Sequence, residues 1–177
     1  VNVSIGGSSS LSYGGAIATA AAQGTFMIAA AGNSGGAVVF PAAYPDAIAI
    51  AALDQSNNRA SFSSNGPEVE FGAPGVSINS TMPGGGYGGK SGTSMATPHV
   101  VGVAALILAA QPGLSLSGLR QKLRDGTLDV DAGGFDNNTG WGLVRAMNSL
   151  GGTAPVPLTL AVSPASRRVN AQVNTAA

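Results

Sequence analysis

Two short segments and one asparagine hold the residue types that could do chemistry. The run Gly84-Gly85-Gly86-Tyr87-Gly88-Gly89-Lys90-Ser91 fits the phosphate-loop pattern G-x-x-x-x-G-K-[ST]. In such a loop backbone N–H groups cradle phosphates, the Lys reaches the terminal phosphates and the hydroxyl binds magnesium. The context opposes that reading. Pro83 abuts the loop, and a helix begun at Lys90 would bury Pro98 about two turns inside it, where a proline costs about 3 kcal/mol. A helix begun near Ser94 puts Pro98 close to its first turn, and the glycine run then reads as a mobile surface loop.

The second segment is Gly92-Thr93-Ser94-Met95-Ala96-Thr97-Pro98-His99. It places a serine at the head of a long apolar run. A helix N-terminus offers unpaired N–H groups and the positive end of the helix dipole, and both stabilise an oxyanion formed on a carbonyl attacked by Ser94. The same residues also read as a plain N-cap, with Thr93 or Ser94 serving only the helix. Asn33 follows a short apolar run, and its amide can point at the head of the Ser94 helix. There a carboxamide N–H donates to an oxyanion without adding charge, but the cluster Gly32-Asn33-Ser34-Gly35 also reads as a turn.

A serine nucleophile needs a base within hydrogen-bond reach. His99 is the only histidine. Five residues along a helix turn about 140° net and rise about 7.5 Å, so the Ser94 and His99 side chains diverge. His99 reads as a packed core histidine. Asp46 and Asp54 have no base to orient and read as a turn residue and a strand-end residue.

Composition narrows the class further. The chain has 177 residues, about one domain's worth. Eight basic and eight acidic residues balance, so no basic excess points to nucleic acid. Hydrophobic residues make up 44%, enough for a core. There is no cysteine, which excludes disulfides, thiol catalysis and cysteine zinc sites. The run Val100 to Ala110, interrupted by Gly102, is too short to span a bilayer, and no membrane partner is expected. Val1-Asn2-Val3-Ser4-Ile5 reads as a strand already in progress, so we expect sequence upstream of it.

These residues need elements to position them. Ser8-Ser9-Ser10 reads as a helix entry, with Leu11 to Gln23 as an Ala-rich helix and Gly24 after its end. Thr25 to Ala31 and Ala47 to Leu53 read as strands buried on both faces. Phe71 to Ala73 and Val76 to Ile78 are shorter strand candidates, and Pro83 to Gly89 reads as a loop. Thr93 to Ala110 is apolar on nearly all sides and is expected as a central buried helix, ended by Pro112-Gly113. Leu116 to Arg124 is amphipathic, and Trp141 to Leu150 reads as a last short helix. Strands alternating with helices give an α/β fold with a largely parallel sheet. Residues 1–150 form one unit in this reading. Residues 151–177 hold a stiff linker, Ala154-Pro155-Val156-Pro157, and the start of a further domain.

The string Gly-Thr-Ser-Met-Ala-Thr-Pro-His from Gly92, followed by Val100 and Gly102, closely resembles the nucleophile signature of the subtilisin-like serine proteases. Other segments resemble the same family in the same order: Ser4-Ile5-Gly6-Gly7, Ala29-Ala30-Ala31-Gly32-Asn33, Tyr44-Pro45, Arg59-Ala60-Ser61-Phe62-Ser63, Ala73-Pro74-Gly75 and Gly140 to Ala146. The resemblance covers residues 1 to about 150. It implies a three-layer parallel-sheet fold, present here as its C-terminal portion, and a secreted serine endopeptidase working through an acyl-enzyme. It also implies Ser94 as nucleophile and Asn33 as oxyanion donor.

By the same resemblance Ser4, Ile5 and Gly6 pair with the substrate backbone as an added strand. Ala29, Ala30 and Gly32 line one pocket wall, Val39 and Phe40 approach its far end, and Gly92 and Thr93 are further substrate-binding residues. Apolar walls suggest large uncharged side chains, although Val39 stands where a small residue often sits and the loop Ser34 to Val38 is short. The family's chain order is Asp, His, Ser. Both partners of Ser94 are therefore expected upstream of Val1, and this chain alone is expected to be inactive. The other class of reading is a degenerate, peptide-binding relative. No cofactor is required. Glu68 and Glu70 match positions near a weak calcium site in some relatives, and Asp129, Asp131 and Asp136 follow no EF-hand spacing.

Overall fold

The computed structural model describes residues 1–7 and 13–152, and the backbone of 158–162 and 169–173. The expected helix entry at Ser8-Ser9-Ser10 and the linker at Ala154 to Pro157 lie outside the described residues.

Ala47–Leu53 (β3) is the centre of the fold. It is wholly buried, and its alternation divides the core in two. Ile48, Ile50 and Ala52 face one cluster, while Ala49 and Ala51 face another built mostly of alanine and valine. Period-two alternation accounts for this split. Met27–Ala30 (β2) and Val69–Pro74 (β4) flank β3 in parallel, and Asn2–Val3 (β1) pairs with β2. The sheet order is β1-β2-β3-β4. The α/β class and the parallel sheet expected from the sequence are present. The first helix, Gly14–Ala22 (α1), precedes β2.

Val76 to Ile78 and the glycine loop correct the sequence reading. The second strand pair is Ile78–Thr81 (β5) with Tyr87–Lys90 (β6), an antiparallel hairpin turned through Gly84 to Gly86. Ladder bonds come from the backbone, so Gly88 and Gly89 pair without side chains to pack. Lys90 lies on a strand and is separated from the following helix by Ser91 and Gly92, which is not phosphate-loop geometry.

Thr93–Ala110 (α2) has the expected bounds. Ala96, Val100, Ala104 and Ile107 pack on Ile28, Ile48, Ile50 and Phe71 of the sheet. Leu116–Asp125 (α3) adds Leu119 and Leu123 to the same cluster. Ser115 caps α3 by accepting from Gly118 N–H at 3.1 Å. The last helix is shorter than expected, Ala146–Ser149 (α4). Leu158–Val162 (β7) and Val169–Val173 (β8) pair antiparallel.

α2 is not buried on all sides. Pro98, His99, Gly102 and Ala105 form an exposed stripe at helical spacing. The packed histidine expected at position 99 is therefore not observed: His99 is exposed, and its Nδ1 lies 2.9 Å from the Met95 carbonyl oxygen. The whole helix, 18 residues at mean hydropathy 1.6, is also long and apolar enough to cross a membrane, unlike the shorter run read from the sequence. A core helix passes the same test, and one face of α2 lies on the sheet.

Candidate active site

The C-terminal end of β2 and the N-terminus of α2 meet, as crevices at the carboxyl ends of parallel strands do. Gly92 carries the chain into α2 at φ 158°, ψ 160°, a region open in practice only to glycine. It has no side chain to cap the helix. The cap comes from Asn33, sixty positions away in the chain. Its Oδ1 accepts from Thr93 N–H at 2.8 Å and from Thr93 Oγ1–H at 2.9 Å. Thr93 is fully buried, and its Oγ1 accepts from Gly32 N–H at 3.2 Å. Thr93 thus ties the loop after β2 to the helix head.

With Oδ1 committed, the other end of the Asn33 amide, Nδ2, finds no acceptor among the described residues. Ser94 N–H is likewise free of a protein acceptor there. Asn33 and Ser94 line the same cleft.

Ser94 itself is clamped to Ser4. Its Oγ–H donates to the Ser4 carbonyl at 2.9 Å, and Ser4 Oγ–H donates to the Ser94 carbonyl at 3.0 Å. Pro98 explains the second bond. In an α-helix the N–H of residue 98 would bond the carbonyl of residue 94. Proline has none, so the Ser94 carbonyl is left for Ser4.

Ser4, Ile5, Gly6, Ala30, Gly32, Asn33, Val39, Thr93 and Ser94 line one cleft. A second cavity meets Ser94 from the other side, lined by Ile78, Asn79, Ser80, Met95, Pro98 and His99. The nucleophile candidate therefore stands at the boundary of two recesses.

A subtilase family model matches residues 1–142. Over 147 residues the chain is 46% identical to alkaline elastase YaB of Bacillus sp. (strain YaB), covering 82% of this chain and 38% of that protein. It is 49% identical over 129 residues to subtilisin J of Geobacillus stearothermophilus, covering 70% of this chain and 34% of that one. It is 45% identical over 132 residues to subtilisin Savinase of Lederbergia lenta, covering 74% and 48%. The chain belongs to the subtilase family. It spans well under two thirds of the length of these relatives.

Within this subtilase chain two residues expected from the sequence to bind substrate stand elsewhere. Ala29 does not face the cleft. It alternates with Ala30 on β2 and is sealed in the opposite core beside Ala31, Ala49 and Ala51. Gly92 is buried behind Thr93 and shapes the helix entry.

Glu70 does not fit a cation site. Both its oxygens accept from Arg120, at 2.8 and 2.7 Å, and Arg120 also donates to the carbonyls of Pro45 and Ala47. Burial pushes the Glu70 carboxyl above its ordinary value even so, with Arg120 pulling the other way. Asp129, Asp131 and Asp136 each accept bonds from their own loop, at Gly134, Asn138 and Thr139. Among the described residues no three acids or histidines gather as a metal site. Asp54 accepts from the backbone N–H groups of Ser56 and Asn58 at the end of β3.

One supporting residue had no sequence signal. Ser64 holds the Gly32 carbonyl through its N–H at 2.9 Å, and its Oγ packs close to Gly32. The serine-rich string Ser61 to Ser64 shows hydroxyls but not which of them reaches the site.

Proposed function

We propose that this chain is the nucleophile-bearing portion of a secreted serine endopeptidase that cleaves peptide bonds in proteins through an acyl-enzyme. The observation that carries the reading is the pairing of Ser94 with Asn33 at the head of α2. One end of the Asn33 amide is anchored on Thr93, and the other has no acceptor among the described residues and belongs to the cleft that Ser94 also lines. Ser94 Oγ attacks the substrate carbonyl carbon while its proton passes to a histidine, oriented by an aspartate, on a segment upstream of Val1. The tetrahedral oxyanion accepts from Asn33 Nδ2–H and from backbone N–H. The intermediate then expels the amine, which takes the proton from the histidine. Water repeats the sequence on the ester and releases the acid.

Ser4, Ile5 and Gly6 pair with the substrate backbone, and Ala30, Gly32, Val39 and Thr93 bound the pocket before the scissile bond. The reaction as proposed needs no cofactor, and any calcium would serve the fold. Substrates are proteins or peptides. The reading includes no nucleic-acid or membrane partner. Residues 1–150 belong to the peptidase domain and 151–177 lead into another.

A second reading, a peptide-binding relative without catalysis, is favoured by one observation. Ser94 Oγ donates to Ser4 and not to a base. The test joins the chain to its upstream segment and offers it a fluorophosphonate and a chromogenic peptide. Stoichiometric labelling of Ser94 with turnover, both lost in Ser94→Ala, supports the peptidase. Peptide binding without labelling supports the second reading and overturns the first.

A further inference from the structure

Pro98 leaves the Ser94 carbonyl without its helical partner, and the hydroxyl that takes that partner's place is itself held from behind. Ser4 Oγ lies 3.0 Å from the Ser94 carbonyl oxygen and 3.0 Å from Asn2 Nδ2. A serine hydroxyl has one proton to give and accepts through its lone pairs. The Asn2 amide N–H donates to Ser4 Oγ, which leaves the Ser4 proton for the Ser94 carbonyl. The competing acceptor, Asn2 Oδ1, is farther away at 3.4 Å. Asn2 lies on β1 and Ser4 just beyond its end, two residues on, so both side chains leave the same side of the extended chain. A directed series of bonds therefore runs from Asn2 to Ser4 to the first turn of α2. Ser94 Oγ–H closes the contact by donating to the Ser4 carbonyl at 2.9 Å. One residue thus holds Ser94 by its main chain and by its side chain.

We propose that Asn2 and Ser4 are positioning residues for the reaction: their side chains replace the helix hydrogen bond that Pro98 deletes and so fix the Ser94 main chain, and with it the line along which Oγ meets the substrate carbonyl. The proposal rests on the peptidase reading. Pairing with a substrate strand does not call for the Ser4 hydroxyl, since an added strand bonds the backbone. The hydroxyl serves α2 instead. Without it, the Ser94 carbonyl has no donor at the position four residues on, and the first turn is free to tilt. Attack needs the reacting atoms close and aligned, and a misplacement of about 1 Å costs about 10²-fold. That cost falls on the chemical step. The backbone of residue 4, which the substrate would pair with, stays as it is.

The experiment assays the chain joined to its upstream segment with a chromogenic peptide and a fluorophosphonate. Ser4→Ala is expected to lower kcat and the labelling rate by about ten- to a hundred-fold with little change in KM. Ser4→Thr, which keeps a hydroxyl, is expected to recover most of that loss. Asn2→Asp offers Ser4 an acceptor in place of a donor and draws its proton away from the Ser94 carbonyl. It should therefore lower kcat in the parent and add nothing in Ser4→Ala. Pro98→Ala returns the missing N–H and is expected to restore kcat in Ser4→Ala, a recovery that a misfolded protein would not show. The carbon resonance of the Ser94 carbonyl reads the bond directly: it should move upfield in Ser4→Ala and return when Pro98→Ala is added. An unchanged kcat in Ser4→Ala, a loss confined to KM, additive losses with Asn2→Asp, or no recovery with Pro98→Ala would overturn the proposal. A parent that neither labels nor turns over counts against the peptidase reading, and the carbonyl resonance then still decides whether Asn2 and Ser4 hold the Ser94 main chain.

Discussion

One end of the Asn33 amide serves the fold, and in the proposed reading the other serves the oxyanion. Oδ1 takes the first N–H of α2 and the Thr93 hydroxyl, so Nδ2 is held in place before any substrate arrives. In the joined protein Asn33→Leu should lower kcat with little change in KM, because the oxyanion exists only in the transition state. The expected loss is about 10²–10³, the size known for such a donor in a subtilisin. Steady-state kinetics on a chromogenic peptide checks this, and an unchanged kcat would remove Asn33 from the site.

At the scale of elements, Arg120 on α3 joins three segments by donating to Glu70 on β4 and to the carbonyls of Pro45 and Ala47 at the start of β3. Arg120→Ala strands a largely buried carboxylate and two carbonyls. Both side chains keep some solvent contact, at 29% and 19% exposure, so the loss is expected at about 2 kcal/mol, below that of a fully buried pair. Urea titration of the joined protein checks it. The pH dependence has a definite sign. Glu70's folded value lies above 4.5, so the folded state binds its proton more readily than the unfolded chain does. Its contribution to stability is greatest below 4.5 and declines as pH rises through the folded value. Glu70→Gln should remove that decline from a plot of thermal midpoint against pH, and an identical slope in parent and variant would contradict it.

The same elements show what could be read from the chain. The bounds of β3 and α2 were legible to the residue, because each apolar segment stops at polar or turn residues, but the exposed stripe of α2 was not. The hairpin β5–β6 was not, since glycine signals a loop whenever its neighbours are few, and pairing is made by backbone atoms that composition does not display. Ser94 and Asn33 were singled out through their strings, and the fold brings both to one cleft. The Thr93 bracket between them was not, because it depends on how β2 and α2 meet, sixty residues apart. Ala29 was misplaced by reading a contiguous string as one wall, where a strand presents alternate residues to opposite faces.

For the whole molecule, α2 carries an exposed stripe and β1 is an edge strand of the parallel sheet among the described residues. Cavities lie on either side of that edge, one lined by Val1, Phe26, Val101 and Leu108, the other by Val3, Ile5, Ile17 and Met27. Alone, the chain is expected to self-associate and to hydrolyse no peptide at a useful rate. An unassisted hydroxyl is a weak nucleophile near neutral pH, and His99 is five residues along the helix with its Nδ1 at the Met95 carbonyl. Light scattering and a chromogenic peptide assay on the isolated chain, repeated after adding the upstream segment, test both points. Turnover by the isolated chain would mean that a base exists within these residues.

The borrowed cap on α2 leads to a stability–activity trade-off at a single side chain. Asn33→Asp keeps an acceptor for Thr93 N–H and Oγ1–H and places a negative charge at the positive end of the helix dipole. Folding should therefore be preserved or strengthened. The same change replaces the outward donor by an anion facing the position where negative charge must develop, so turnover should collapse. A higher melting temperature with a lower kcat in one variant is the signature. The asparagine is then the residue that the fold would exchange and the chemistry would not.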